Sequence, residues 1–131
     1  MSQPLEETRI TEMVFPNQTN HYGTLFGGHA LALMDKAAFI AASRYCRQTV
    51  VTASTEKINF HSPIKVGQLA ECVARVIGTG RSSMQVEVSL FSEDPLSGNR
   101  ALCTRGVFIM VALNEHGQSI PIQPQTNSEQ A

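Results

Sequence analysis

The most convincing helical pattern runs from Gly27 to about Arg47, a mostly apolar stretch. It is rich in Ala, Leu, Met and Ile, with no proline and no glycine beyond the opening Gly27-Gly28. Such residues lose little freedom in a helix, so the pattern predicts one long helix. His29, Lys36 and Ser43 recur at a constant spacing and form one narrow polar stripe. Nearly everything else is apolar, which predicts burial on most sides. Arg44 and Arg47 suit the negative C-terminal end of the helix dipole.

The rest of the chain has strand character. Thr8 to Phe15 mixes β-branched and apolar residues, and further runs cover Val50 to Phe60, Gln68 to Ile77, Met84 to Glu93 and Arg100 to Leu113. Met84, Val86, Val88 and Leu90 alternate with Gln85, Glu87, Ser89 and Phe91, the signature of a half-buried strand. Val107 to Leu113 is apolar on both faces. One helix layer can cover only one of them, and a partner subunit is the simplest cover for the other. The breaks are short: Pro63 with Gly67, Gly78-Thr79-Gly80, and Asp94 to Gly98. No helix separates the later strands, so parallel crossovers are excluded. The order predicts an α+β layer fold, an antiparallel sheet of five strands against one helix. Residues 1–7 are expected to be a loose leader, 8–113 a single domain, and 114–131 a mobile polar tail.

Composition narrows the function classes. The chain has 131 residues, room for one core. Ten Lys and Arg against eleven Asp and Glu give a net charge of −1, which argues against nucleic acid as a partner. No apolar run reaches membrane-spanning length and no signal segment opens the chain, so a cytoplasmic address without membrane association is expected. Without a secretory leader the sequon Asn17-Gln18-Thr19 has no expected use. Cys46, Cys72 and Cys103 form no C-x-x-C pair and sit in apolar alternation, as core residues do. No metal or redox cofactor is expected.

Three features carry candidate chemistry. Asp35 interrupts the apolar helix in Leu33-Met34-Asp35-Lys36-Ala37-Ala38. A carboxylate sunk there would lose hydration and have its pKa raised unless paired, by a basic residue from the sheet or by solvent beside Lys36. Asp94 sits in a turn beside Pro95, an ordinary place for Asp. The second feature is Asn20 to Gly28, where Gly27-Gly28 opens the helix. Free N–H groups there could hold a carbonyl oxygen as it becomes an oxyanion, or the glycines could merely ease a tight entry. Asp35 follows about two turns later, near enough to share a substrate that curls along the helix. The third is Thr79-Gly80-Arg81-Ser82-Ser83, at a strand–strand turn. It could hold a phosphate or be a plain polar hairpin tip. His21, His29 and His61 have no metal-ligand spacing, and Lys57 and Lys65 have solvated roles by default.

Together these segments resemble the HotDog-fold acyl-CoA thioesterases. Thr19-Asn20-x-x-Gly23-x-x-Phe26-Gly27-Gly28 followed by Met34-Asp35 is similar to their active-site segment. Val50-Val51-Thr52 through Asn59-Phe60-x-x-Pro63-Ile64-x-Val66-Gly67 resembles their strand after the helix, and Gly80-Arg81-Ser82-Ser83-Met84 their coenzyme A contact turn. The likeness spans about Thr8 to Leu113 and is closest to small bacterial acyl-CoA hydrolases and the cytosolic enzymes that duplicate the domain. It implies a curved sheet wrapped around the helix and edge-to-edge dimers assembled as a trimer of dimers. It further implies active sites at the dimer interface, with Asn20 and Asp35 from opposite subunits. Asp35 would act as general base or nucleophile, Asn20 and the Gly28 N–H would polarise the thioester carbonyl, and Gly80, Arg81, Ser82 and Ser83 would hold coenzyme A. Phe26 and His29 would border the acyl pocket, and His29 stands where the family often carries a large aromatic. A dehydratase or hydratase of acyl thioesters would keep the fold but needs a His beside the carboxylate. A non-catalytic acyl-CoA-binding module is the other alternative.

Overall fold

The computed structural model describes residues 7–124. The leader expected over residues 1–7 therefore lies, Glu7 aside, outside the described residues, as does the tail from residue 125 onward. In chain order the elements are β1 (Thr8–Met13), a 3-10 turn (Pro16–Gln18), α1 (Gly27–Cys46), β2 (Thr49–Phe60), β3 (Leu69–Thr79), β4 (Ser83–Glu93) and β5 (Arg100–Leu113). Every strand pair is antiparallel, and the spatial order is β1-β3-β4-β5-β2. The helix touches all five strands. Strands about 4.8 Å apart can all reach one rod about 10 Å wide only if the sheet curves around it.

The core explains the fit. The helix presents Ala30, Ala37, Ala38, Ala41 and Ala42, whereas the central strands present Met84, Val86, Val88, Leu90, Phe108 and Met110, all buried. Small residues on the rod let bulky ones on the sheet interdigitate to native density. The helix ends where Arg47 adopts φ 53° and donates its N–H to the Ser43 carbonyl at 2.7 Å. Burial on most sides is not what the chain shows: eight of twenty helical residues are buried, while Ala32, Lys36, Phe39 and Arg44 are exposed. A single chain supplies one sheet, so the far side of the helix faces outward.

Two edges matter for function. β2 is an edge strand with bulges near Ala53 and near Lys57-Ile58, and Val50 is its sole buried residue. The second bulge lays Ile58 over Gly106, where any Cβ would collide with it. Beside it, Val107, Ile109, Val111 and Leu113 of β5 form the expected second apolar row, half-buried on the outer face.

At the other edge Glu71 clasps three strands. Its carboxylate accepts from Thr11 Oγ1 at 2.9 Å and pairs with Arg100 at 2.7 Å and Arg9 at 3.5 Å. Burial alone would push this carboxyl up, but the hydrogen bonds from Thr11 and Arg100 and the charges of Arg100 and Arg9 outweigh it and hold it below its ordinary 4.5. A lowered folded-state pKa means the clasp stabilises fully above the unfolded value and is lost as pH falls through the folded one. Thermal melting is expected to drop more steeply from about pH 5 to about pH 3 in the wild type than in Glu71→Gln. Parallel curves would show that Glu71 does not contribute.

Over its described part, the segment after β5 is hydrogen-bonded back onto the sheet. Asn114 Oδ1 accepts from the His116 and Gln118 N–H groups at 2.8 and 3.0 Å, and the chain folds back so that Ile120 N–H reaches the Ala112 carbonyl at 3.0 Å. A polar segment needs only backbone partners to be ordered, and the open end of β5 offers them.

Candidate active site

Asp35 lies midway along α1, on the side facing β2. Thr52 shares the inward face of β2 with Val50, because it pairs with Met110 while Val50 pairs with Ala112. Its Oγ1 donates to Asp35 Oδ1 at 2.5 Å. Nothing in the sequence pattern singles out Thr52 except a hydroxyl at an inward strand position, two residues after Val50. The expectation of a carboxylate sunk in apolar surroundings needs correction: Asp35 is partly exposed, at the open rim between helix and edge strand. Among the described residues no basic side chain pairs with it. The result is a carboxyl group fixed by one hydroxyl, with no basic partner among the described residues.

The loop before the helix is a built turn. Asn20 Oδ1 accepts three hydrogen bonds, from Tyr22 N–H at 3.0 Å, Thr24 N–H at 3.1 Å and Thr24 Oγ1 at 3.1 Å. Three donors on one oxygen fix which end of the amide is which. The Nδ2 group is therefore turned outward, with no partner among the described residues. Gly23 takes φ 80° to close the turn. Gly23 accepts from Val66 N–H at 2.9 Å and Leu25 donates to Ile64 at 2.8 Å, which anchors the loop to the segment before β3.

Gly27 and Gly28 do not ease a tight entry. Neither has a positive φ, and a Cβ at either would meet nothing within 4 Å. Phe26 caps the helix without a side-chain hydrogen bond, so the first-turn N–H groups are open. Glycine costs up to about 1 kcal/mol against alanine in a helix, and no contact among the described residues repays it. Gly28 shares a helical stripe with Asp35 but lies about 10 Å away along the axis. Within one chain the two do not converge on one carbonyl, even for a curled substrate.

Other predicted residues lie elsewhere. Gly80 N–H donates to the Ser83 carbonyl at 2.9 Å, making a tight turn between β3 and β4. Met84 pairs with Met110, which pairs with Thr52, so Arg81 lies about 10 Å further along the strand direction than Asp35. Its exposed guanidinium has no partner among the described residues. Phe26 is half-exposed at the helix start. His29 lines a separate cleft of about 180 Å³ with Glu12, Gln18, Ala32, Leu33 and Lys36. His21 lies against Tyr22 on the exposed loop tip, with ring centroids 3.9 Å apart and planes tilted by 38°. Burial, with the charges of Glu12 and Glu71, pushes the Cys72 thiol up to about 12, which keeps it out of chemistry. Among the described residues no His, Cys, Asp and Glu cluster could hold a metal, and no helix is long and apolar enough to cross a membrane.

The family model described as the thioesterase superfamily matches residues 22–98. An uncharacterized acyl-CoA thioester hydrolase of Bacillus subtilis is 36% identical over 122 residues, which are 91% of this chain and 71% of that protein. An apo-hexameric acyl-CoA thioesterase of known structure matches with a TM-score of 0.87 and 39% identity, over 95% of this chain and 81% of that one. The acyl-CoA hydrolase of Staphylococcus aureus, solved with butyryl coenzyme A, coenzyme A and coenzyme A disulfide, matches with a TM-score of 0.85 and 33% identity, over 94% of this chain and 75% of that one. It has also been solved with an aspartate, a threonine or an asparagine replaced by alanine.

Proposed function

This chain belongs to the thioesterase superfamily, and from that membership we propose that it is a homo-oligomeric hydrolase of acyl-coenzyme A thioesters. The observation that carries the reading is the Asp35 carboxylate, held by Thr52 at an open rim with no basic partner among the described residues. Its spacing supports the same reading: the three residues replaced in the S. aureus enzyme stand as far from one another as Asn20, Asp35 and Thr52 do here.

In the proposed reaction Asp35 takes a proton from water as the water oxygen attacks the thioester carbon. The carbonyl oxygen becomes an oxyanion and accepts from the Gly28 N–H at the open helix start and from the outward Nδ2 of Asn20. Preorganised donors of this kind are worth about 10²–10³ in rate each. Collapse breaks the carbon–sulfur bond, and the leaving thiolate takes the proton back from Asp35. The products are a free acid and coenzyme A. Arg81, with Ser82 and Ser83, holds coenzyme A phosphate.

The separation between Gly28 and Asp35 makes this site composite. Asp35 works with Gly28 and Asn20 of the partner subunit, brought in across the unpaired edge of β2. An exposed edge strand with an apolar row beside it needs such a cover. The similarity to an apo-hexameric thioesterase favours dimers assembled in threes.

The test is thiol release from short, medium and long acyl-coenzyme A esters, read with one equivalent of acid formed per thiol. Turnover of at least one class is expected. Tight binding without thiol release across the panel would overturn the reading in favour of a binding module.

A further inference from the structure

The turn that carries Arg81 is held by a part of the chain remote from it in sequence. The Arg81 carbonyl accepts from Ile122 N–H at 2.8 Å, and the Ser82 carbonyl accepts from Ala112 N–H at 3.1 Å. Ile122 in turn sits in a clamp. Gln48 Nε2 donates to the Pro121 carbonyl at 3.0 Å, and Gln48 Oε1 accepts from Gln123 N–H at 2.9 Å. One side-chain amide thus imitates the peptide of a neighbouring strand and fixes the residues on both sides of Ile122. Pro121 and Pro124 stiffen the same segment by restricting its backbone. The Ile122 side chain packs against the core. Gln48 itself follows directly on the helix C-cap Arg47, so the clamp is anchored at the end of α1.

We propose that Gln48 is a positioning residue for substrate binding. Through the strap Pro121–Gln123 it sets the backbone of the Arg81 turn, and so the aim of the Arg81 guanidinium at coenzyme A phosphate. The proposal rests on the reading of that turn as a coenzyme A contact. Fork-like recognition of phosphate depends on sub-ångström placement, so a looser turn weakens nucleotide binding without touching the reacting atoms.

The experiment compares an acyl-coenzyme A with the same acyl group on N-acetylcysteamine, a thioester that lacks the nucleotide and its phosphates. In Gln48→Ala, KM for the coenzyme A ester is expected to rise about three- to tenfold, the scale of one lost hydrogen bond. Its kcat, and KM for the short thioester, are expected to stay unchanged. Thermal melting checks that the variant is folded. An equal rise for both substrates would mean general damage and overturn the proposal. Arg81→Ala separates the two layers. If it raises KM for the coenzyme A ester alone while Gln48→Ala leaves both substrates unmoved, the turn binds coenzyme A but the strap does not position it. If Arg81→Ala itself moves neither KM, the coenzyme A role of the turn falls and the strap proposal falls with it.

Discussion

Asp35→Asn is expected to lower kcat for thioester hydrolysis by about 10²–10⁴-fold, the range for loss of a positioned base. KM should change little, because the amide has the same shape and removes an interaction made only as water is activated. The fold has no reason to suffer. Asparagine can still accept from Thr52 Oγ1, and the position is partly exposed, with no ion pair to orphan among the described residues. Steady-state thiol release, with thermal melting of both proteins, measures the effect. Full activity in a folded Asp35→Asn protein would remove this carboxylate from the mechanism.

How far this site could be read from the sequence differs from residue to residue. Asp35 was legible because a carboxylate in an alanine- and leucine-rich helix needs a reason to be there. Its surroundings were not, since helix periodicity cannot tell a side covered by sheet from a side left for another subunit. Phe39 is as apolar as any core residue, yet it is 48% exposed in one chain. The five strands and their antiparallel pairing were legible, but the short break at Pro63 to Gly67 is not a hairpin. β2 pairs with β5 and β3 with β1 and β4, so the chain crosses there from one edge of the sheet toward the other. Thr52 was hidden because its inward direction depends on register across β2 and β5, and a bulge near Ala53 resets that register immediately after it. The strap was hidden for another reason. Gln48 and Pro121 are 73 residues apart, and contacts between a glutamine amide and a backbone carbonyl leave no periodic trace.

Gly28→Ala should move stability and catalysis in opposite directions. On the stability side, the new Cβ meets nothing within 4 Å and the backbone φ is ordinary for a helix. Alanine also loses less entropy than glycine on entering a helix, by up to about 1 kcal/mol, so the melting temperature should rise by a few degrees. On the catalytic side, the methyl group sits beside the N–H proposed to receive the oxyanion. Pushing the carbonyl off that donor is expected to cost about 10²–10³ in kcat. The two measurements, melting and thiol release, are read together with the mass of the assembly in solution. A folded, fully assembled and slower enzyme supports close approach of substrate to the helix start. Unchanged turnover would mean that substrate does not need this glycine. Loss of activity together with loss of the oligomer would mean that the open space belongs to a neighbouring subunit's backbone. A glycine that neither bends the chain nor fits a crowded contact within it must answer to something outside it, and these outcomes say whether that is substrate or subunit.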